Sequence, residues 1–100
     1  MTEQQPQIVA ADTSFYHEAD EEAFIGWIER MTFVREALGV GRDIILTFTR
    51  FPTDDDMWEI IGFCRRYGID MTQLAKFETK ENTVWMRDPE KVWCNEIFGS

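Results

Sequence analysis

The sequence holds a single histidine, His17, and only two cysteines, Cys64 and Cys94. A hydrolytic triad would have to be built on His17 with Ser14, Cys64 or Cys94, and no GxSxG nucleophile motif accompanies them. Neither cysteine belongs to a CxxC pair, which removes the redox dithiol and the zinc knuckle and leaves two free thiols as the expectation. Gly39-Val40-Gly41 lacks the third glycine of a dinucleotide loop, and no Gly-Lys-Ser/Thr follows it to cradle a phosphate. No apolar run approaches the roughly 20 residues of a membrane span. The opening Met-Thr-Glu-Gln-Gln-Pro has neither the basic nor the apolar region of a signal peptide, so the cytoplasm is the expected compartment.

Positive charge is also scarce. Ten Lys and Arg stand against 19 Asp and Glu, a net charge of −9, which opposes nucleic acid and anionic membrane and steers the chain toward a basic partner if it has one. The same charge also serves simply to keep a protein in solution.

What is present is apolar mass. In 100 residues, 44% are hydrophobic and 14% aromatic, with eight Phe and four Trp, enough for one core without disulfide or metal staples. The polar stretch 1–11 reads as a loose tail and 12–100 as one domain.

The most legible segment is Phe51–Gly68. Thr53 is an N-cap candidate, Asp54, Asp55 and Asp56 put negative charge on the positive end of the helix, and Arg65 and Arg66 complement the other end. Gly68 can take the left-handed conformation that closes a helix, so the pattern predicts a helix over 54–67. At about 100° per residue, Met57, Ile60, Ile61, Cys64 and Tyr67 share one buried arc. Trp58 lies off that arc beside Gly62 and Arg65, either as an exposed anchor or as an edge of the core.

A second amphipathic helix is predicted over 21–31, capped by Asp20, with Phe24, Trp27, Ile28 and Met31 inward and Glu21, Glu22 and Glu29 outward. A short strand is expected over Thr13–Glu18. Phe33 to Arg50 reads as a hairpin turning at Gly39-Val40-Gly41, with continuation of the preceding helix to Leu38 as the competing reading. Asp70 can cap a short helical turn, Glu78–Asn82 is a polar turn, and Thr83–Met86 reads as a strand. A last helix should start at Asp88-Pro89, dock Val92, Trp93, Ile97 and Phe98, and end at Gly99. The expected class is α+β: a small antiparallel sheet against two main helices, in a split βαβ or ferredoxin-like order, with a short C-terminal helix.

No metal site or cofactor is expected. Asp54, Asp55 and Asp56 point about 100° apart on a helix and lack the alternating DxDxDG spacing of a calcium loop. No pair among the 19 acids is singled out for glycoside chemistry. Enzymatic function is therefore not expected.

What remains is an acidic, aromatic-rich binding domain. Asp20, Glu21, Glu22, Asp54, Asp55 and Asp56 would supply the charge, Trp58 an anchor, and Arg65 its flank. In size, charge and lack of catalytic motifs the chain resembles the small immunity proteins that neutralise polymorphic bacterial toxins. That resemblance implies a basic protein partner, such as a toxin nuclease whose cleft is blocked. The alternative is a subunit or adaptor domain that self-associates, and the sequence does not fix the oligomeric state.

Overall fold

The computed structural model of the protein describes residues 6–11 and 17–99. The chain divides into two compact units, Met1–Pro52 and Thr53–Ser100.

The first unit holds strand β1 (Gln7–Ala10), helix α1 (Glu18–Arg30) and the hairpin β2 (Val34–Val40) and β3 (Asp43–Phe48). β3 is central, antiparallel to both neighbours, so β1 and β2 run parallel and are joined through α1. Gln7–Ala10, expected within a loose tail over 1–11, is thus an edge strand. Ile8 and Ala10 supply its buried face, and Ile8 pairs with buried Leu46 of β3. Phe33 and Phe48 meet edge to face at 5.3 Å.

The hairpin forms, but its turn is shorter than expected: Gly39 and Val40, read as part of the turn, extend β2, and Val40 pairs with Asp43 across Gly41 and Arg42 alone. Gly41 has φ of 63°, a left-handed value that a side chain would strain. Helix α1 starts three residues before 21, because His17 rather than Asp20 is the cap: its Nδ1 accepts from the Ala19 N–H at 2.9 Å. Asp20 falls in the first turn instead. The strand expected over Thr13–Glu18 lies outside the described residues apart from its last two, and Glu18 opens α1.

The second unit is helical: α2 (Asp54–Tyr67), a 3-10 helix (Met71–Phe77), α3 (Thr83–Met86) and α4 (Val92–Phe98). Helix α2 has the predicted bounds. Its Thr53 cap is half of a reciprocal pair, in which Thr53 Oγ1 accepts from Asp56 N–H at 3.1 Å and Asp56 Oδ2 accepts from Thr53 N–H at 2.9 Å. Gly68 closes the helix at φ 67° and ψ 30°. Met57, Ile60, Ile61 and Cys64 are buried as the wheel requires, Phe63 joins them, and Tyr67 is half-buried.

Asp70 caps the next turn, accepting from Thr72 N–H at 3.0 Å. Met71, Leu74 and Phe77 are buried at a spacing of three, the period of a 3-10 helix.

Thr83–Met86 is a helix, not the expected strand. Its β-branched and aromatic residues favour extended structure, but Asn82 determines the geometry. Asn82 is 3% exposed; its Oδ1 accepts from Thr79 N–H at 2.7 Å and its Nδ2 donates to the Phe77 carbonyl at 2.9 Å. So anchored, its own carbonyl accepts from Met86 N–H at 2.9 Å and starts a helical turn. A ferredoxin-like sandwich has four strands; the described residues carry three.

Asp88-Pro89 forms a turn instead of the start of α4. Asp88 Oδ1 accepts from Glu90 N–H and the Asp88 carbonyl from Lys91 N–H, each at 3.0 Å, so the helix opens at Val92. Gly99 ends it, as expected. Ile97 is buried, Trp93 and Phe98 are half-buried, and Val92 is 61% exposed.

Candidate functional site

In the second unit, Trp58 follows the acidic turn of α2 by one helical turn. Asp54 and Asp55, four and three residues before it, are exposed, and the row continues through exposed Gly62 to Arg65. Trp58 is 43% exposed, while its neighbour Met57 is fully buried. The wheel separated these two residues correctly.

Two further tryptophans support Trp58 from α3 and α4. Trp85 stacks on it with ring centroids 4.5 Å apart and planes at 21°, and Trp93 meets it edge to face at 4.8 Å and 80°. Trp93 Nε1 donates to the Trp85 carbonyl at 3.3 Å, which fixes one partner ring against the other. The Trp85 indole N–H is buried without an acceptor among the described residues.

A polar brace positions the two short helices. Glu78, at the end of the 3-10 helix, receives Arg87 in a two-pronged ion pair, Nε to Oε2 at 2.5 Å and Nη2 to Oε1 at 3.0 Å. Thr83 Oγ1 donates to the same carboxylate. The Arg87 guanidinium lies 4.0 Å from the centroid of the Phe98 ring in α4, so one side chain links three elements. Hydrogen bonds from Arg87 and then Thr83 hold the Glu78 carboxyl below the usual glutamate range. Glu78 is therefore committed to the brace. The shallow hollow lined by Glu78, Thr79, Lys80 and Thr83 has no proton donor in that carboxylate.

The acidic residues expected to act together have different duties. Asp54 and Asp55 face solvent. Asp56 is 8% exposed and is the reciprocal partner of Thr53, so it stabilises the helix start. Arg65 forms an ion pair with Glu96 of α4, both side chains 42% exposed. Asp20, Glu21 and Glu22 belong to the first unit. There, Glu21 and Glu22 are exposed on α1 and Asp20, on another side of the helix, is partly covered; Ile25, 41% exposed, shares a face with Glu18, Glu21, Glu22 and Glu29.

Among the described residues, no catalytic constellation is assembled on the sequence candidates. His17 is occupied as a helix cap, and Ser14 lies outside the described residues. Burial, with the Asp70 charge adding to it, pushes the Cys64 thiol up to about 12, which keeps it protonated and inert. Both cysteines are unbridged. Among the described residues, no three His, Cys, Asp or Glu side chains gather to hold a metal, and no helix is long and apolar enough to cross a membrane.

The sequence reading missed Trp85 and Trp93 as supports. Their signal was the concentration of three of the four tryptophans after residue 52, obscured because Trp85 was assigned to a strand. Comparison with protein-family models, curated proteins and solved structures finds no match to this chain.

Proposed function

We propose that the protein is an acidic protein-binding domain that docks on a basic partner through the first two turns of α2. The observation that carries this reading is Trp58, 43% exposed yet held from behind by two other indoles, one turn after exposed Asp54 and Asp55. A large aromatic already fixed in orientation loses little freedom on binding, which is the physical profile of an interface anchor. The carboxylates beside it, within a chain of charge −9, accelerate encounter with a positive surface. Asp20, Glu21 and Glu22 on α1 add to the long-range field.

The partner that fits best is one whose own function depends on an exposed basic cleft, such as a toxin nuclease; covering the cleft makes the domain an inhibitor or immunity protein. No reaction is assigned to it. The cytoplasm suits this role, since Cys64 and Cys94 stay reduced there.

The reading is tested by affinity capture from the source cell with three baits: the native chain, Asp54→Asn/Asp55→Asn and Trp58→Ala. A basic protein retained by the native bait at low salt, reduced on both variants and lost at high salt supports it. Equal recovery on all three baits refutes the α2 site.

A further inference from the structure

The three indoles of the second unit cover only part of Trp58. Trp85 lies 4.5 Å from it and nearly parallel, so it covers one face of that ring. Trp93 lies 4.8 Å from Trp58 at 80°, and Trp85 and Trp93 are 6.2 Å apart. Rings on opposite faces of Trp58 would be separated by nearly the sum of their distances to it. The observed separation instead sets the two close to a right angle about Trp58, with Trp93 at its rim. The face turned away from Trp85 is met by no other ring among the described residues, in a residue 43% exposed.

Elsewhere in the molecule, such faces carry cations. Arg50 lies over Phe33, Arg66 over Tyr67, Lys76 over Phe77 and Arg87 over Phe98, the last at 4.0 Å. An indole attracts a cation more strongly than a phenyl or phenol ring does. Yet among the described residues no cation lies over Trp58, and Arg65, the base that follows on the same helix row, is engaged by Glu96.

The charge beside the ring narrows the choice of occupant. Side chains of a helix lean toward its N-terminus, which for Trp58 is the turn that carries exposed Asp54 and Asp55. Residues three and four apart on a helix have Cβ atoms about 5–6 Å from each other, so both carboxylates stand within reach of a group lying flat on the indole. An ammonium is compact and strongly hydrated. A guanidinium is planar and more weakly hydrated, and it stacks on an aromatic face while its edge N–H groups still donate to carboxylates. From the open indole face and the two carboxylates one turn before it, we infer that the partner group received by Trp58 is an arginine side chain, stacked on the ring and hydrogen-bonded to Asp54 or Asp55. The inference rests on the α2 docking reading and adds the chemistry of the contact, arginine in preference to lysine.

Hexa-arginine and hexa-lysine peptides, equal in charge, test it against the full chain at low salt, with binding followed by NMR through the indole N–H resonances. Trp58→Leu identifies the Trp58 resonance, and circular dichroism controls for its fold. The native chain should bind hexa-arginine about threefold more tightly than hexa-lysine, the increment of one exposed cation–π contact, and the Trp58 resonance should shift with it. Trp58→Leu should bind the two peptides equally, and Asp54→Asn/Asp55→Asn should weaken both. If Trp58→Leu loses its fold, the comparison of peptides on the native chain still decides the matter. Equal affinity for the two peptides, or an arginine preference that survives Trp58→Leu, overturns the arginine assignment and, where the aspartate variant weakens both peptides, leaves α2 docking standing. Peptides that fail to bind, or that bind without moving the Trp58 resonance and without loss in the aspartate variant, overturn the docking reading as well.

Discussion

Trp58 of α2 stacks on Trp85 of α3, ring centroids 4.5 Å apart and planes 21° from parallel. The contact covers one side of an indole whose residue remains 43% exposed, so Trp58 belongs partly to the unit's packing and partly to its surface. Trp58→Ala loses two aromatic contacts, each worth about 0.5–1.5 kcal/mol beyond area, whereas Ile61→Ala opens a hole at a 3% exposed site, a change that costs about 2–5 kcal/mol. Urea melts should rank Ile61→Ala as the more destabilising.

The three aspartates of α2 should separate in the same assay. Asp56→Ala removes the carboxylate that accepts from Thr53 N–H and should cost about 1 kcal/mol, as should Thr53→Ala. Asp54→Asn and Asp55→Asn touch only exposed charge and should each stay within about 0.5 kcal/mol. Equal losses at all three positions would mean that the helix responds to charge alone.

Asn82→Ala should be among the most damaging polar substitutions in the second unit. It leaves the Thr79 N–H and the Phe77 carbonyl without their side-chain partner at a 3% exposed position, at about 1–3 kcal/mol for each group stranded. Thermal melts should show the loss. Because Asn82 sets the start of α3, the fluorescence of the tryptophan cluster should change with it.

These residues also show where sequence reading succeeds. The start and stop of α2 depend on contacts within three or four residues, Thr53 with Asp56 and Gly68 with Cys64, so they were legible. The hairpin was legible for the same reason. Thr83–Met86 was not, since Asn82 gains its authority from burial and from bonds to Phe77 and Thr79 that no periodicity reveals. The α1 cap was misplaced because an uncommon cap, His17, acted before the more usual Asp20. At the candidate site, Trp58 was identifiable from its wheel position, but Trp85 and Trp93 reach it only through the fold, and Arg65 gave no sign of its pairing with Glu96.

The pH dependence should have two distinct limbs. Glu78, held below the usual range by Arg87 and Thr83, contributes stability that is complete above the ordinary glutamate value, about 4.3, and lost as pH falls from there through its folded value. Glu78→Gln should flatten that acid limb. Cys64 has the opposite sign: its thiol is raised to about 12, so the unfolded chain releases the proton first and stability falls as pH rises from the ordinary thiol value, about 8.5, toward 12. Cys64→Ala should flatten this second limb, and in the native protein at neutral pH a thiol reagent should modify Cys94 well before Cys64.

The central claim is that Trp58 and the acidic turn before it form one binding surface, and rate measurements test it most directly. With the captured partner immobilised, association and dissociation rates would be measured for the native chain, Asp54→Asn/Asp55→Asn and Trp58→Ala at low and physiological salt. The charge variant should associate more slowly, with a shallower salt dependence, and dissociate nearly as the native chain does. Trp58→Ala should associate normally and dissociate about 30-fold faster, the equivalent of about 2 kcal/mol at an anchor. Native rates in both variants would contradict the account.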